Sequence, residues 1–172
     1  LLLPLAVLLL APQSAQAEAW EKFEAKQYGF SMLVPPKTKL AGSTLDNGWG
    51  VLVGENDGVK LYGCAVMGKS HSFNDIKAFG CKQTGIPADK WKAVDRGSRG
   101  KLVHFTVQSE ADGKVVYGMY GASPRGSYLL VLVTTAEDFK TNRAAYQKWY
   151  DSIQIEDDWQ MYRAEAYGFT ML

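Results

Sequence analysis

The sequence predicts an α+β fold, one mostly antiparallel sheet with helices on both of its faces. Three observations carry this. Residues 128–133 (YLLVLV) are apolar at every position, so that strand needs cover above and below. Four strand-like runs follow in close succession between Trp91 and Thr134, broken by Gly97-Ser98-Arg99-Gly100, Asp112-Gly113 and Ser123-Pro124-Arg125-Gly126. Those breaks are hairpin-type turns, and their spacing reads as an antiparallel meander. Two segments, after Ser72 and after Thr135, begin on capping side chains and carry apolar residues at helical spacing.

In chain order, residues 28–34 (YGFSMLV) have strand composition and are stopped by Pro35-Pro36. Residues 37–48, opened by Lys37 and closed by Gly48, are rich in turn formers and read as a loop. Residues 50–53 form a short strand, and Asn56-Asp57-Gly58 is a turn. Residues 59–67 then alternate. Val59, Leu61, Gly63, Ala65 and Met67 share one face, and Lys60, Tyr62, Cys64 and Val66 share the other. The helix capped by Ser72 puts Phe73, Ile76, Phe79 and Gly80 on one side. After Ile86-Pro87 the strands are 91–96, 102–108, 115–121 and 128–134. In the second of these, Val103, Phe105 and Val107 face in while His104, Thr106 and Gln108 face out, which places it nearer an edge. Thr135 and Asp138 form a helix-start box, and the helix to residue 150 turns Phe139, Tyr146, Trp149 and Tyr150 inward, followed by Ile153.

Residues 1–17 read as the second half of a secretory signal peptide: an uncharged apolar run closed by Ala15-Gln16-Ala17. The run is shorter than the ~20 residues that span a bilayer. The mature chain, starting near Glu18, is therefore expected to be exported, periplasmic or extracellular, with no transmembrane segment. No Cys near the cleavage point offers a lipid anchor. Residues 18–158 then make one module of ordinary domain size.

Near the other end a motif returns. Residues 20–33 read WEKFEAKQYGFSML and residues 159–172 read WQMYRAEAYGFTML. The offset, from Trp20 to Trp159, is 139 residues. That is a whole domain, not a solenoid unit of about 20–50 residues. Residues 159–172 are thus expected to start a truncated second copy, and to fray or to associate with an exposed sheet edge.

The charge is balanced, with 19 basic and 18 acidic residues, and no basic stripe is present. This excludes nucleic acid as the main partner. Residues 63–70 (GCAVMGKS) fit the phosphate-loop pattern G-x-x-x-x-G-K-[ST]. The four residues between the glycines, however, continue the strand alternation instead of supplying a flexible backbone. No apolar strand downstream ends in the Asp that would hold magnesium. With two His and two Cys the chain offers no zinc pattern, so neither a metal nor a cofactor is expected. His104 is a candidate base only if a partner positions it. Export favours a Cys64–Cys81 disulfide, and the phase of the helix opposes it. Trp49, in Asn47-Gly48-Trp49-Gly50, is either a plug over one end of the sheet or an exposed aromatic anchor for binding.

The order of these elements, with YGFSMLVP, the Gly-Trp segment and the closing WYDSI, resembles the PsbP-like superfamily, which includes the DcrB-like lipoproteins. The resemblance covers residues 20–156. It implies an α/β/α sandwich that works as a binding or assembly module, with no shared active site. The chain departs from it in lacking the DcrB-like lipid-anchor Cys and in its repeat. The expected function is accordingly a non-enzymatic envelope module that binds a protein partner. The alternatives are a small-ligand carrier with a pocket beside the 37–48 loop, and a hydrolase using His104.

Overall fold

The computed structural model describes residues 20–156, 162–164 and 169–171; the expected signal peptide at 1–17 lies outside them. At its centre is a seven-stranded antiparallel sheet. In chain order the strands are β3 (Lys39–Thr44), β4 (Gly50–Asn56), β5 (Val59–Met67), β6 (Ala93–Arg99), β7 (Leu102–Ala111), β8 (Lys114–Ser123) and β9 (Gly126–Thr135). In space they run β3-β4-β5-β9-β8-β7-β6. The meander β6–β9 folds back until β9 pairs with β5, from Lys60↔Val133 to Met67↔Gly126. Two of the hairpins turn on Asp-Gly pairs. Asp57 and Gly58 have φ of 45° and 80°, Asp112 and Gly113 of 51° and 72°. Positive φ at both positions gives the tight turn whose twist matches the flanking strands.

β9 is covered on both sides. Tyr128, Leu130 and Leu132 enter one core, Leu129 and Val131 the other, and all five are fully buried. The first core is roofed by a small sheet and by two helices. The sheet is β1 (Glu21–Ala25), β2 (Phe30–Val34) and β10 (Gln154–Ile155), ordered β1-β2-β10; the helices are α2 (Ala136–Thr141) and α3 (Arg143–Ser152). Phe30, Met32, Phe139, Trp149 and Ile153 carry that contact. The second core is roofed by α1 (Phe73–Thr84) with Trp49, Ile86 and Trp91. α1 begins on the expected cap, where Ser72 Oγ accepts from the Asp75 amide at 3.2 Å. α2 begins in the same way on Thr135 and Asp138, at 3.1 Å.

Several expectations are revised. Residues 37–48 are not all loop, because Lys39–Thr44 is edge strand β3, exposed at every position and so without any alternation to reveal it. β1 was hidden by its charges, Glu21, Lys22 and Glu24. The strand expected at 91–96 is β6, Ala93–Arg99, and Trp91 precedes it as a buried loop residue. The last helix breaks at Asn142 into α2 and α3. His104 and Thr106 do not face solvent. They lie on the side of β7 that α3 covers, and both are buried. The second-copy segment 159–172 lies within the described residues only at 162–164 and 169–171.

Gly63 fixes how closely β2 approaches the sheet. A Cβ there would lie 2.9 Å from Phe30 Cζ and 3.4 Å from Met32 Cε. Gly63→Val is therefore expected to overpack the first core and lower stability by about 1–3 kcal/mol in urea unfolding. A loss below about 0.5 kcal/mol, the range of a bland surface change, would contradict this seating.

Candidate functional site

Several places could carry chemistry or recognition. The first is a polar cluster under α3. β7 presents His104 and Thr106 to α3, which answers with Tyr150. Thr106 Oγ1 and the Tyr150 hydroxyl are 2.6 Å apart, and that hydroxyl is 3.3 Å from His104 Nε2. Arg99, from the end of β6, lies over the Tyr150 ring at 4.8 Å. Its guanidinium donates to the carbonyls of Ile153 and Tyr150, the latter at 3.2 Å. It thus caps the end of α3, where the Tyr150 carbonyl also accepts from the Ile153 amide at 3.2 Å. Gly97, opposite His104 in the register, makes room for the imidazole. Burial pushes the His104 pKa below its ordinary 6.5, and Arg99 adds to this while Asp95 opposes it. The ring is 5% exposed, so no substrate reaches it as it stands. Chemically the cluster is a clamp joining β6 and β7 to α3.

Trp49 lies 3% exposed at the end of β4. Its ring stacks on Phe79 at 4.3 Å and on His71 at 5.7 Å. The ring has the position of a plug and leaves no free face for a ligand. Cys64 and Cys81 are free thiols. Cys64 is fully buried in the second core, which pushes its pKa up to about 12. Burial also raises Cys81, which is half-buried on α1. Of the phosphate-loop look-alike, Gly63 to Met67 belong to β5. The turn after it is tied to β9, since the Ser127 hydroxyl donates to the Lys69 carbonyl at 3.0 Å and accepts from the His71 amide at 2.7 Å.

The remaining two places lie beside β3. A groove of about 1110 Å³ runs between β3–β4 and the start of the β1–β2 hairpin, with Trp20, Lys39, Glu55, Asp57, Asp138 and Tyr146 among its walls. A second, of about 730 Å³, lies toward Tyr28. In the larger one, Asp138 is held by three donors: Thr134 Oγ1 at 2.5 Å, Asn142 Nδ2 at 2.7 Å and the Tyr146 hydroxyl. Burial alone would raise its pKa, but these bonds outweigh it and hold the carboxyl below its ordinary 3.8. Sequence reasoning placed a pocket beside residues 37–48 but missed the Trp20 and Asp138 walls, which come from elements far apart in the chain.

The open edge of β3 is the other place. Among the described residues the exposed large hydrophobics are Leu40, at 39%, and Val94, at 57%, one on each outer strand of the central sheet. The two edges differ. β6 has a register break at Val94 and carries Asp95 and Arg96, devices that discourage pairing. β3 pairs with β4 in unbroken register from Lys39↔Glu55 to Thr44↔Gly50. Its composition, KLAGST, holds a single charge and no proline.

No family profile matches this chain, and no curated protein matches it. Among solved structures it is similar to the solution structure of cyanobacterial PsbP (CyanoP) from Synechocystis sp. PCC 6803. Identity is 10%, the TM-score is 0.56, and the match covers 86% of this chain and 99% of that one. The fold is therefore PsbP-like, as the element order and YGFSMLVP implied.

The clamp has a pH signature. A histidine with a depressed folded-state pKa gives stability that is present above its unfolded value and lost as pH falls through the folded one. The urea midpoint is expected to fall as pH drops below about 6.5. His104→Gln should flatten that slope whatever it does to the baseline. An unchanged slope in the variant would show that the imidazole is not the titrating group.

Proposed function

We propose that this protein is an exported, non-enzymatic binding or assembly module of the cell envelope that takes a protein partner at the β3 edge. The observation that carries this reading is β3 itself: a six-residue outer strand, exposed throughout, unbulged, and bearing Leu40. An extended segment of a partner can add to such an edge through main-chain hydrogen bonds, with side-chain pockets giving selectivity. The grooves beside β3 supply those pockets. Further support comes from how the reactive groups are used. His104 serves a buried clamp and Cys64 a core, so neither stands ready to attack a substrate. The PsbP-like fold and the signal-like residues 1–17 fit an envelope setting, and the balanced charge fits a protein partner better than nucleic acid.

The test is capture from envelope extract on immobilised, folded protein. Wild type should recover a partner, and Leu40→Lys should recover at least about tenfold less. The variant should keep its stability within about 0.5 kcal/mol, since Leu40 is partly solvated already. A folded wild type that captures nothing, or a Leu40→Lys variant that captures as well, sinks the β3 reading.

A second reading is favoured by the larger groove. At about 1110 Å³ it has room for a small ligand, with the aromatic walls Trp20 and Tyr146 and the carboxylate of Asp138. Native mass spectrometry of protein purified from its source should then show a co-purifying mass that denaturation releases. A bare polypeptide mass speaks against a carrier.

A further inference from the structure

Residues Tyr162–Ala164 and Phe169–Met171 form β11 and β12, an antiparallel pair in a sheet of their own. Their register is Tyr162↔Met171, Arg163↔Thr170 and Ala164↔Phe169. In β1–β2 the register includes Phe23↔Met32, Glu24↔Ser31 and Ala25↔Phe30. Each pair in the second set reappears in the first after a shift of 139 residues. The sequence repeat is therefore also a repeat of hairpin pairing, residue for residue.

A two-stranded hairpin alone is marginal in water and needs an apolar surface to lie on. For β1–β2 that surface is known. Phe30 and Met32 are buried over the bare backbone of Gly63, and Gly29 supplies the left-handed turn, φ 60°, that leads into β2. Phe169, Met171 and Gly168 repeat those residues, so the second hairpin carries the chemistry of one specific seat. The repeat also falls where the first module closes. Among the described residues that module closes at Glu156, whose amide donates to the Gly29 carbonyl at 2.9 Å, and Trp159 follows three residues later in the sequence. A stray copy of a hairpin could fall anywhere. A copy whose offset equals the length of the module is what duplication of the whole module produces.

We infer that Trp159 opens a second copy of the module and that the protein is a two-module binder. The second half of this statement rests on the partner-binding reading above. The residues between Glu156 and Trp159, Asp157-Asp158, leave a link that spans at most about 10 Å. Two copies of the β3 edge would thereby be carried on one chain. A partner offering two matching segments meets the second edge at a high effective concentration, and avidity can exceed single-site affinity by about 10²–10⁴.

The experiment begins with the intact mass of the protein isolated from its source. A mass near two modules is expected, together with two protease-resistant fragments of similar size from cleavage close to residues 156–160. A mass close to one module, or a single resistant fragment, overturns the duplication and would make the second hairpin an exchanging element between molecules. In the native protein, Leu40→Lys in the first module alone should weaken partner binding by about 10²-fold yet leave a single-site remainder. Complete loss, or no loss, overturns bivalency. If the mass is double but the wild type captures no partner, the binding function has failed while the duplication stands.

Discussion

The structure depends on one constraint, that β9 has no polar face. Its side chains alternate into two cores, and each core must be sealed from water. At about 25 cal/mol per Å² of apolar surface, leaving either side open would cost more than a domain's usual margin of stability. The covering elements answer that demand. α1, Trp49 and Trp91 close one side. The small sheet with α2 and α3 closes the other, and it draws on both ends of the module, since β10 pairs with β2 across more than a hundred residues of chain.

The same demand explains which parts were legible. β5 and β9 bury side chains deep in the sheet, and their apolar patterns announce strands directly. The Asp-Gly turns and the Ser72 and Thr135 caps are local chemistry, readable without knowing the fold. β3 and β1 were not legible in that way. Both are held by main-chain pairing to a neighbour; β3 is exposed at every position and carries no period, and β1 turns only Phe23 and Ala25 to the core, too few to announce a strand. The break at Asn142 was hidden because α2 and α3 together still place Phe139, Tyr146 and Trp149 inward, as one helix would.

The candidate site residues show a related limit. His104 and Thr106 look like the wet side of a strand, because polarity along a sequence is usually read as exposure. Here the Thr106 hydroxyl and His104 Nε2 are taken up by the Tyr150 hydroxyl, while His104 Nδ1 is buried without a partner. A buried hydroxyl and imidazole that share Tyr150 cost far less than either would alone. Trp49 and Cys64 are likewise core residues whose types resemble functional ones. What remains available for recognition among the described residues is main chain at an edge and the walls of grooves, features that belong to no single motif.

The pairing of β10 with β2 has a kinetic consequence. The module cannot finish its roof until residue 155 has joined residue 30, so the leading hairpin must wait for nearly the whole module to be made. Such non-local closure is slow, because the chain's loop entropy is lost before the contact rewards it. As the seat completes, a hairpin of the same register emerges a few residues behind. Two claimants then face one seat, distinguished by order of arrival, by the tether and by the residues at which their sequences differ. Tandem modules with like sequences are prone to misassembly of this kind. The charge differences between the two segments, Glu21, Lys22, Glu24 and Lys26 against Gln160, Met161, Arg163 and Glu165, are changes that would let a nascent chain tell them apart.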